Sequence, residues 1–400
     1  MNAAVASGPA SDPWPPHRHP SVLLLLSSCG GEGTPSLTPG SGVSGSTDGA
    51  PGDTRPGGGD AYSAPVVPLA GPNGNPAGRC AVPAAGLAED SSKPTTVVGD
   101  GTPASCTGAK VAAAVKAGGV VTFSCGSEPI VIAVPELRIF NNGGKGDGSV
   151  TIDGGGKVTL DGEGARRIIY QNTCDESLVF TTATCNTQEV PRLVLQNIGF
   201  TRGKGPATDE QGGGGAVYVR GGTFKMFGVC FFDNELANVK QDYAGGAVYA
   251  TSQVNPVYVV NSTFERNKAA NGGALGSIGV SWTVLNSAFS ANATTGRGMN
   301  PAKPGTPGGG LGGAIYNDGN AFTLTSCGTL FENNEAAELG SGSIFMVSNS
   351  LSGDLSLTDS TFRANANGGA VQGTTHPSIY VEARDKQGEN GITIASTTFE

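Results

Sequence analysis

A short segment built around a phenylalanine recurs through the second half of the chain, and this repeat limits the possible folds more than any other feature. An aliphatic residue stands five positions before the phenylalanine and a turn-forming polar residue three positions before it, although the copies at Phe231 and Phe331 fit these positions less well. An asparagine usually stands three positions after it. The phenylalanines are Phe200, Phe231, Phe264, Phe289, Phe331, Phe362 and Phe399, and the asparagines are Asn234, Asn267, Asn292, Asn334 and Asn365. Such a repeat predicts a solenoid.

A second motif, Gly-Gly-Ala followed by valine, leucine or isoleucine, alternates with the first. It lies at Gly214–Val217, Gly245–Val248, Gly272–Leu275, Gly312–Ile315 and Gly368–Val371, with a variant at 342–344. In five copies, 15 to 18 residues separate the third residue of this motif from the next phenylalanine. The final copy contains an insertion around 373–390. The near-constant separation predicts coils of one kind.

The predicted fold class is all-β, a parallel β-helix solenoid with a short N-terminal capping α-helix. Successive coils of such a fold lie about 4.8 Å apart, so equivalent side chains stack on one another. Phenylalanine and aliphatic side chains then fill the interior, and asparagine side chains form hydrogen-bonded ladders at the turns. The Gly-Gly pair supplies positive φ at a tight corner. An antiparallel sandwich with glycine-rich hairpins is the alternative, but it does not require the same residue at the same phase.

Three regions follow from the changes in composition along the chain. Residues 1–29 are predicted to be a leader, 30–95 a disordered Gly/Ser/Pro-rich spacer, and 96–400 the β-helix. The capping helix is predicted at about 106–117, with Ser105 or Thr107 as its N-cap and a Gly-Gly stop. Clear repeats extend over 195–400. The last repeat ends at residue 400, so the β-helix is expected to be incomplete at the C-terminus.

The leader predicts export. A weakly basic patch, a short apolar run and then Leu26-Ser27-Ser28-Cys29 match a bacterial lipobox, which predicts lipidation of Cys29. The apolar run is shorter than usual for a signal peptide, and an ordinary secretory signal or a misassigned start codon are the alternatives. Each of these interpretations predicts an extracytoplasmic location, either secreted or as an outer-membrane or cell-surface lipoprotein.

The chain contains eight cysteines, and none belongs to a C-x-x-C pair of the metal-binding or redox kind. Two pairs enclose short segments, which predicts the disulfides Cys106–Cys125 and Cys174–Cys185. The other three, Cys80, Cys230 and Cys327, have no obvious partners. For them the alternative is a small buried apolar side chain.

Composition excludes several functions. A net charge of −9, with 14% charged residues, disfavours nucleic-acid binding, which requires a concentrated basic surface. Only three histidines occur, and His376 is the one that lies beyond the leader, so a multi-histidine metal site is excluded. We therefore expect no cofactor and no metal.

Candidate catalytic residues are few. Many β-helices act on polysaccharides, and such enzymes need two opposed carboxyl groups or an acidic cluster beside a basic group. Weak candidates are Asp153, Asp161 and Arg166, with Glu163 and Arg167 beside them. Asp153 and Asp161 each precede a glycine, however, and turn formation explains these dipeptides without catalysis. The two arginines are expected to lie on a solvated strand edge.

The Gly-Gly-Ala-[Val/Ile/Leu] and Phe-x-x-Asn motifs resemble the repeats of polymorphic outer-membrane proteins and related bacterial right-handed parallel β-helix proteins. The stretch from Ser105 to Gly126, followed by residues 150–168, also resembles the start of secreted bacterial β-helix proteins, where a capping helix precedes the first coils. The resemblance covers roughly residues 95–400. It implies a right-handed, surface-exposed or secreted β-helix, with activities that range from adhesion to none known. The polymorphic proteins also carry a C-terminal membrane barrel, whereas this chain ends inside a repeat.

Length variation between copies falls mainly after Phe-x-x-Asn, at 203–213, 235–244 and 293–311. Inserts at one phase project from one side of a solenoid, which is often the binding face, although drift in unconstrained loops explains them equally well. The sequence as a whole predicts a surface-tethered, non-catalytic β-helix that mediates adhesion or cell-envelope interaction. Its expected partners are a cell-surface glycan or protein, and the membrane through a lipid on Cys29. The alternative is an extracellular polysaccharide-active enzyme, a pectate-lyase-like lyase or a glycosidase.

Overall fold

Parallel strands from successive coils pair in three sheets that extend along the molecule. The structure is a computed structural model that describes residues 73–141, 147–180, 184–206, 212–367 and 376–400. Over these residues the chain is mostly β, and the repeated coils form a β-helix-like solenoid of stacked parallel sheets. None of the helices in the described part of the chain is long and apolar enough to cross a membrane.

The strands are grouped by sheet as follows. In the described residues sheet I contains Thr96–Val98, Gly119–Phe123, Ile130–Ala133, Val150–Asp161, Arg192–Thr201, Thr223–Phe227, Cys230–Phe232, Val257–Val260, Thr263–Glu265, Trp282–Leu285, Ala288–Ser290, Thr323–Cys327, Leu330–Glu332, Asp354–Thr358, Thr361–Arg363, Ile392–Ala395 and Thr398–Phe399. Sheet II contains Leu137–Arg138, Ile169–Asn172, Val217–Arg220, Val248–Thr251, Leu275–Ile278, Ile315–Gly319, Ile344–Ser348 and Ile379–Glu382. Sheet III contains Lys204–Gly205, Glu235–Leu236, Lys268–Ala269, Ala293–Thr294, Glu335–Ala336 and Ala366–Asn367.

The phenylalanines of the repeat form one continuous stack inside the solenoid. Strand pairing places Phe231 between Phe200 and Phe264, and the same register continues to Phe399. Neighbouring ring centroids lie 4.6–5.3 Å apart, with the ring planes nearly parallel. The six rings from Phe200 to Phe362 are buried. Because each ring covers the next, one phenylalanine per coil is enough to fill this part of the core.

The asparagines three positions after the phenylalanines form a buried ladder. The Nδ2 of Asn267 donates to the Oδ1 of Asn292 at 3.0 Å and to the carbonyl oxygen of Phe231 at 3.0 Å. The same pattern connects Asn234, Asn267, Asn292, Asn334 and Asn365. The Oδ1 of each asparagine after Asn234 also accepts the backbone N–H of the preceding asparagine, and the Oδ1 of Asn234 accepts the N–H of Gly203. The ladder therefore satisfies polar groups that would otherwise be buried without partners.

A left-handed residue bends sheet I once in each coil. It is the residue three positions before the phenylalanine, and its φ lies between +48° and +63° at Asn197, Gly228, Asn261, Asn286, Gly328, Asp359 and Ser396. Glycine, asparagine and aspartate adopt this conformation most readily. The two copies that fit the sequence pattern less well are the two with glycine at this corner, so they follow the same backbone requirement.

The Gly-Gly pair of the second motif has two different roles, as Gly245 and Gly246 illustrate. Gly245 has a φ of +76°, where a side chain would strain the backbone. A Cβ on Gly246 would lie 2.3 Å from the carbonyl oxygen of Gly273 in the next coil. The first glycine is needed for its conformation and the second for the close approach of stacked coils.

One α-helix, Gly108–Ala117, lies within the described residues. The Thr107 side chain accepts a hydrogen bond from the backbone N–H of Lys110, and Gly118, with a φ of +76°, ends the helix. Its buried residues Val111, Ala114 and Val115 join the core cluster of the first coils. The predicted start at 106 is two residues early because Thr107 is the N-cap.

Residues 73–95, the strap, lie across the outer side of sheet I, in contrast to the disorder predicted for 30–95. Gly74 N–H donates to the Thr263 hydroxyl at 2.8 Å, and Asn75 N–H donates to the Asn286 carbonyl at 2.9 Å. At the other end, Thr95 N–H donates to the Val120 carbonyl at 2.8 Å. The prediction was wrong for this part because backbone hydrogen bonds and a disulfide order the strap without an apolar core of its own.

Candidate binding site

A disulfide fixes the strap to the solenoid. Cys80 is bonded to Cys327, at a sequence separation of 247 residues and a Cα–Cα distance of 6.0 Å. The side chain of Asn286 also binds the backbone of Cys80. Its Oδ1 accepts from Cys80 N–H at 2.8 Å, and its Nδ2 donates to the Cys80 carbonyl oxygen at 2.9 Å. Two cysteines without obvious partners in the sequence are therefore partners of each other.

A cluster of three charged side chains, of which Lys225 is buried, holds the middle of the strap. The carboxylate of Glu89 accepts hydrogen bonds from Lys225 and Arg192, and Lys225 also donates to the Leu87 carbonyl at 2.6 Å. Burial alone would raise the pKa of Glu89, but hydrogen bonds and charge from Arg192 and Lys225 outweigh it and hold the pKa below its ordinary value. Since the Lys225 side chain is almost fully buried, Glu89 is the anion that permits its burial.

A cleft of about 490 Å³ opens between the start of the strap and the left-handed corner of sheet I. We call it the strap cleft. Its volume lies within the range of small-molecule sites. It is lined by Asn73, Asn75, Pro76, Gly78, Arg79, Gly156, Asn197, Phe227, Gly228, Asn261 and Asn286. Among these described lining residues none carries a carboxylate, and Arg79 supplies a positive charge.

Half of the strap cleft could not be found from the sequence, because Asn73 and Arg79 lie in the segment predicted to be a disordered spacer. The other half was visible in part. Asn197 and Asn261 belong to the turn position of the phenylalanine repeat, and both line the cleft. The Nδ2 of Asn197 donates to the Asp153 carboxylate at 3.2 Å.

The weak catalytic candidate Asp153 is occupied by structural contacts. Its carboxylate accepts hydrogen bonds from the Ser91 hydroxyl at 2.6 Å and from the Gln196 side-chain amide at 2.8 Å. It also accepts from the backbone N–H of Gly155, in the same turn, at 2.9 Å. It is buried. These contacts agree with the turn interpretation and also attach the strap to the sheet.

Asp161 has the same kind of role. Its carboxylate accepts from the backbone N–H of Glu163 at 2.7 Å and from Arg202, whose Nε lies 3.0 Å away. Each aspartate thus bonds the N–H two residues further on, as expected of turn-forming residues. The structure does not bring either carboxylate into the strap cleft.

The two adjacent arginines differ, and the expectation of a solvated edge was wrong for one of them. Arg166 is part-exposed and pairs with Glu163 at 2.5 Å. Arg167 is buried, donates to the carbonyl oxygens of Gly213 and Gly214 at 2.8 and 3.0 Å, and lies over the ring of Tyr218. Arg167 joins two coils instead of facing solvent.

The structure contains the disulfides Cys106–Cys125 and Cys174–Cys185. With Cys80–Cys327 they make three among the described residues, which indicates an oxidising, extracytoplasmic location. The Asp359 carboxylate lies within 4.8 Å of the Cys80 and Cys327 sulfur atoms, but a disulfide offers no thiolate to a metal. Cys230 is buried in its strand and is disulfide-bonded, so it is not the free apolar side chain that was the alternative for it. Cys29 lies outside the described residues.

The insert at 293–311 is held against the coils and is not a free polar loop. It forms a hairpin in which Arg297 pairs with Gly308 and Met299 with Gly309. The Asn300 amide donates to Asp242 at 2.9 Å and to the Tyr316 hydroxyl at 3.0 Å. Tyr316 is fully buried beneath this hairpin, and burial raises its pKa well above the ordinary value. The hairpin therefore covers part of the aromatic core with one side, and its tip at 303–305 is exposed.

A second aromatic stack, outside the main core, was missed in the sequence. Tyr170, Tyr218 and Tyr249 stack at 5.5–5.7 Å, and Tyr316, Phe345 and Tyr380 stack at 5.2–5.4 Å. Gly276 occupies the equivalent position between the two groups. The signal was present, since these residues stand two places after the alanine of the Gly-Gly-Ala motif in most copies. Burial, with a hydrogen bond and charge from Glu382, raises the pKa of Tyr380 to about 12.

The chain matches no protein-family model, no curated protein and no solved structure. The fold and the strap cleft are therefore interpreted from their own chemistry.

Proposed function

We propose that this protein is a non-catalytic, extracytoplasmic β-helix whose surface binds a component of a cell envelope or cell surface, as an adhesin does. The observation that carries the proposal is that the carboxylates best placed for catalysis, Asp153 and Asp161, are used in turns and in contacts between coils. A glycosidase needs two carboxyl groups free to face the same bond. The strap cleft offers amides and a guanidinium, which suit binding better than bond cleavage.

Three finer features belong to the same proposal. The coils wind right-handed, because parallel strand connections do so in nearly all proteins. The helix Gly108–Ala117 covers the first coil, since its apolar face packs on the first strands. The repeats are of the polymorphic outer-membrane type, as their two motifs suggest.

The test of this function uses purified full-length protein with polygalacturonate and with alginate. We expect no unsaturated uronate and no new reducing ends above the level of a heat-denatured sample. In the same preparation we expect the protein to sediment with isolated cell envelopes. Release of products by the wild-type protein, abolished in Asp153→Asn or Asp161→Asn, would establish the polysaccharide-active enzyme instead.

Anchoring through Cys29 is a separate prediction. We expect Cys29→Ser to move the protein from the membrane fraction to the soluble fraction, because the thioether-linked lipid that supplies membrane affinity is lost. Fractionation and immunoblotting measure the shift, and Ser28→Ala, which keeps a small residue before the cysteine, is the matched control. Mass spectrometry of the N-terminal peptide shows whether Cys29 carries a lipid. An unlipidated Cys29 in the wild-type protein would contradict the prediction.

A further inference from the structure

We infer that the strap cleft is a binding site for a carboxylated saccharide. The inference rests on the proposed binding function and names the ligand class for it. It starts from charge. In a protein with a net charge of −9, the described lining of the cleft has no carboxylate and has one guanidinium, that of Arg79. Such a site favours an anion over a neutral molecule or a cation.

Arg79 is held in place and still has donors to offer. Its Nη1 donates to the carbonyl oxygens of Pro76 and Gly78 at 2.7 and 2.6 Å, which fixes the exposed guanidinium at the edge of the cleft. It forms no ion pair with any described residue. The N–H groups on Nε and Nη2 remain for a ligand carboxylate, and arginine suits this geometry because its donors form a planar fork.

The rest of the lining suits the neutral part of a sugar. The side-chain amide of Asn261 has no hydrogen-bond partner among the described residues, so it has both a donor and an acceptor available for adjacent hydroxyl groups. The Nδ2 of Asn73 donates a hydrogen bond to the Gly228 carbonyl oxygen at 2.7 Å, and its Oδ1 is left as an acceptor for a ligand.

Phe227 supplies the apolar contact. Its half-buried ring lines the cleft on the outer side of sheet I, where it can lie against the C–H face of a pyranose ring. A single ring among amides fits a saccharide better than a peptide, which would require pockets for several side chains.

The experiment is isothermal titration of full-length protein with two disaccharides, cellobiouronic acid and cellobiose, which differ by one carboxylate. We expect the acid to bind ten- to a hundredfold more tightly, as a charge-assisted hydrogen bond provides. Arg79→Gln should remove this difference. The matched control is Lys93→Gln, another exposed strap cation that pairs with no acidic side chain among the described residues, and it should leave the difference intact.

A second variant keeps the test informative if Arg79 also supports the strap. Asn261→Asp adds a carboxylate to the cleft without changing the corner, because Asp359 occupies the equivalent position with the same φ of +48°. We expect it to weaken binding of the acid at least tenfold and to leave thermal stability unchanged. Unchanged affinity in this variant would overturn the site.

The remaining outcomes separate this inference from the function on which it rests. Equal binding of both disaccharides would overturn the carboxylate preference, and equal binding of a simple carboxylate such as acetate would overturn the saccharide class. If neither disaccharide binds while the protein still sediments with cell envelopes, the strap cleft is not the site but the binding function stands. If envelope sedimentation also fails, the proposed function itself is wrong.

Discussion

Removal of the Cys80–Cys327 disulfide, in the double variant Cys80→Ser/Cys327→Ser, is expected to lower the free energy of unfolding by about 5 kcal/mol. The bond closes a loop with a sequence separation of 247 residues, and the conformational entropy that a disulfide removes from the unfolded chain grows with loop length. Because this disulfide joins the strap to a late coil, the strap should also separate from sheet I while the coils stay stacked.

Urea unfolding followed by circular dichroism measures the loss of stability, and limited trypsin digestion measures release of the strap through cleavage after Arg79. The matched control is Cys174→Ser/Cys185→Ser, whose sequence separation is 11 residues and whose expected cost is about 3 kcal/mol. It should leave cleavage after Arg79 unchanged. Equal effects of the two double variants on strap cleavage would show that the disulfide does not hold the strap.

Asn292→Ala is expected to cost about 4 kcal/mol of stability, since each buried polar group left without a partner costs about 1–3 kcal/mol. The Oδ1 of Asn292 accepts from both the backbone N–H and the Nδ2 of Asn267, each at 3.0 Å. Its Nδ2 donates to the Phe264 carbonyl at 3.0 Å. All of these groups are buried where water cannot replace the lost amide.

Chemical denaturation and thermal melting of Asn292→Ala give the cost directly. Asn365→Ala is the matched control, because Asn365 makes the same kinds of hydrogen bond but is only part-buried near the last coil. Water can reach its neighbours, so a clearly smaller loss is expected there. A cost for Asn292→Ala below that of Asn365→Ala would contradict a buried ladder.

The positions readable from the sequence were those at which one residue type is required in every coil. The phenylalanine stack and the asparagine ladder belong to this group. Each phenylalanine ring stacks on the ring of the next coil, and each asparagine amide is hydrogen-bonded to the amide of the next coil. A second left-handed position, two residues after the phenylalanine, was not readable. Arg202, Asp233, Arg266, Ala291, Asn333 and Ala364 all occupy it with positive φ. Their side chains share no chemistry, so no pattern marks the conformation.

Long-range contacts were the other part that sequence patterns could not supply. The disulfide between Cys80 and Cys327 joins the strap to a coil 247 residues further along the chain, and nothing in the neighbouring sequence specifies it. The sequence predicted that Arg167, like its neighbour Arg166, lies at the surface. In the structure its charge is buried, where two carbonyl oxygens and an aromatic ring contact it. In both cases the partner lies on a segment distant in the chain.

The sequence by itself determined that the chain folds into stacked parallel coils, because the hydrophobic and hydrogen-bonding demands of the interior repeat at each turn and select the same residues. Only the tertiary structure decided the path of the strap, the burial of Lys225 against Glu89 and the presence of the strap cleft. The strap is held by backbone hydrogen bonds, one disulfide and a few ion pairs, and these contacts require neither periodicity nor apolar composition. A segment rich in glycine and proline can therefore look like a spacer and still form one wall of the candidate binding site.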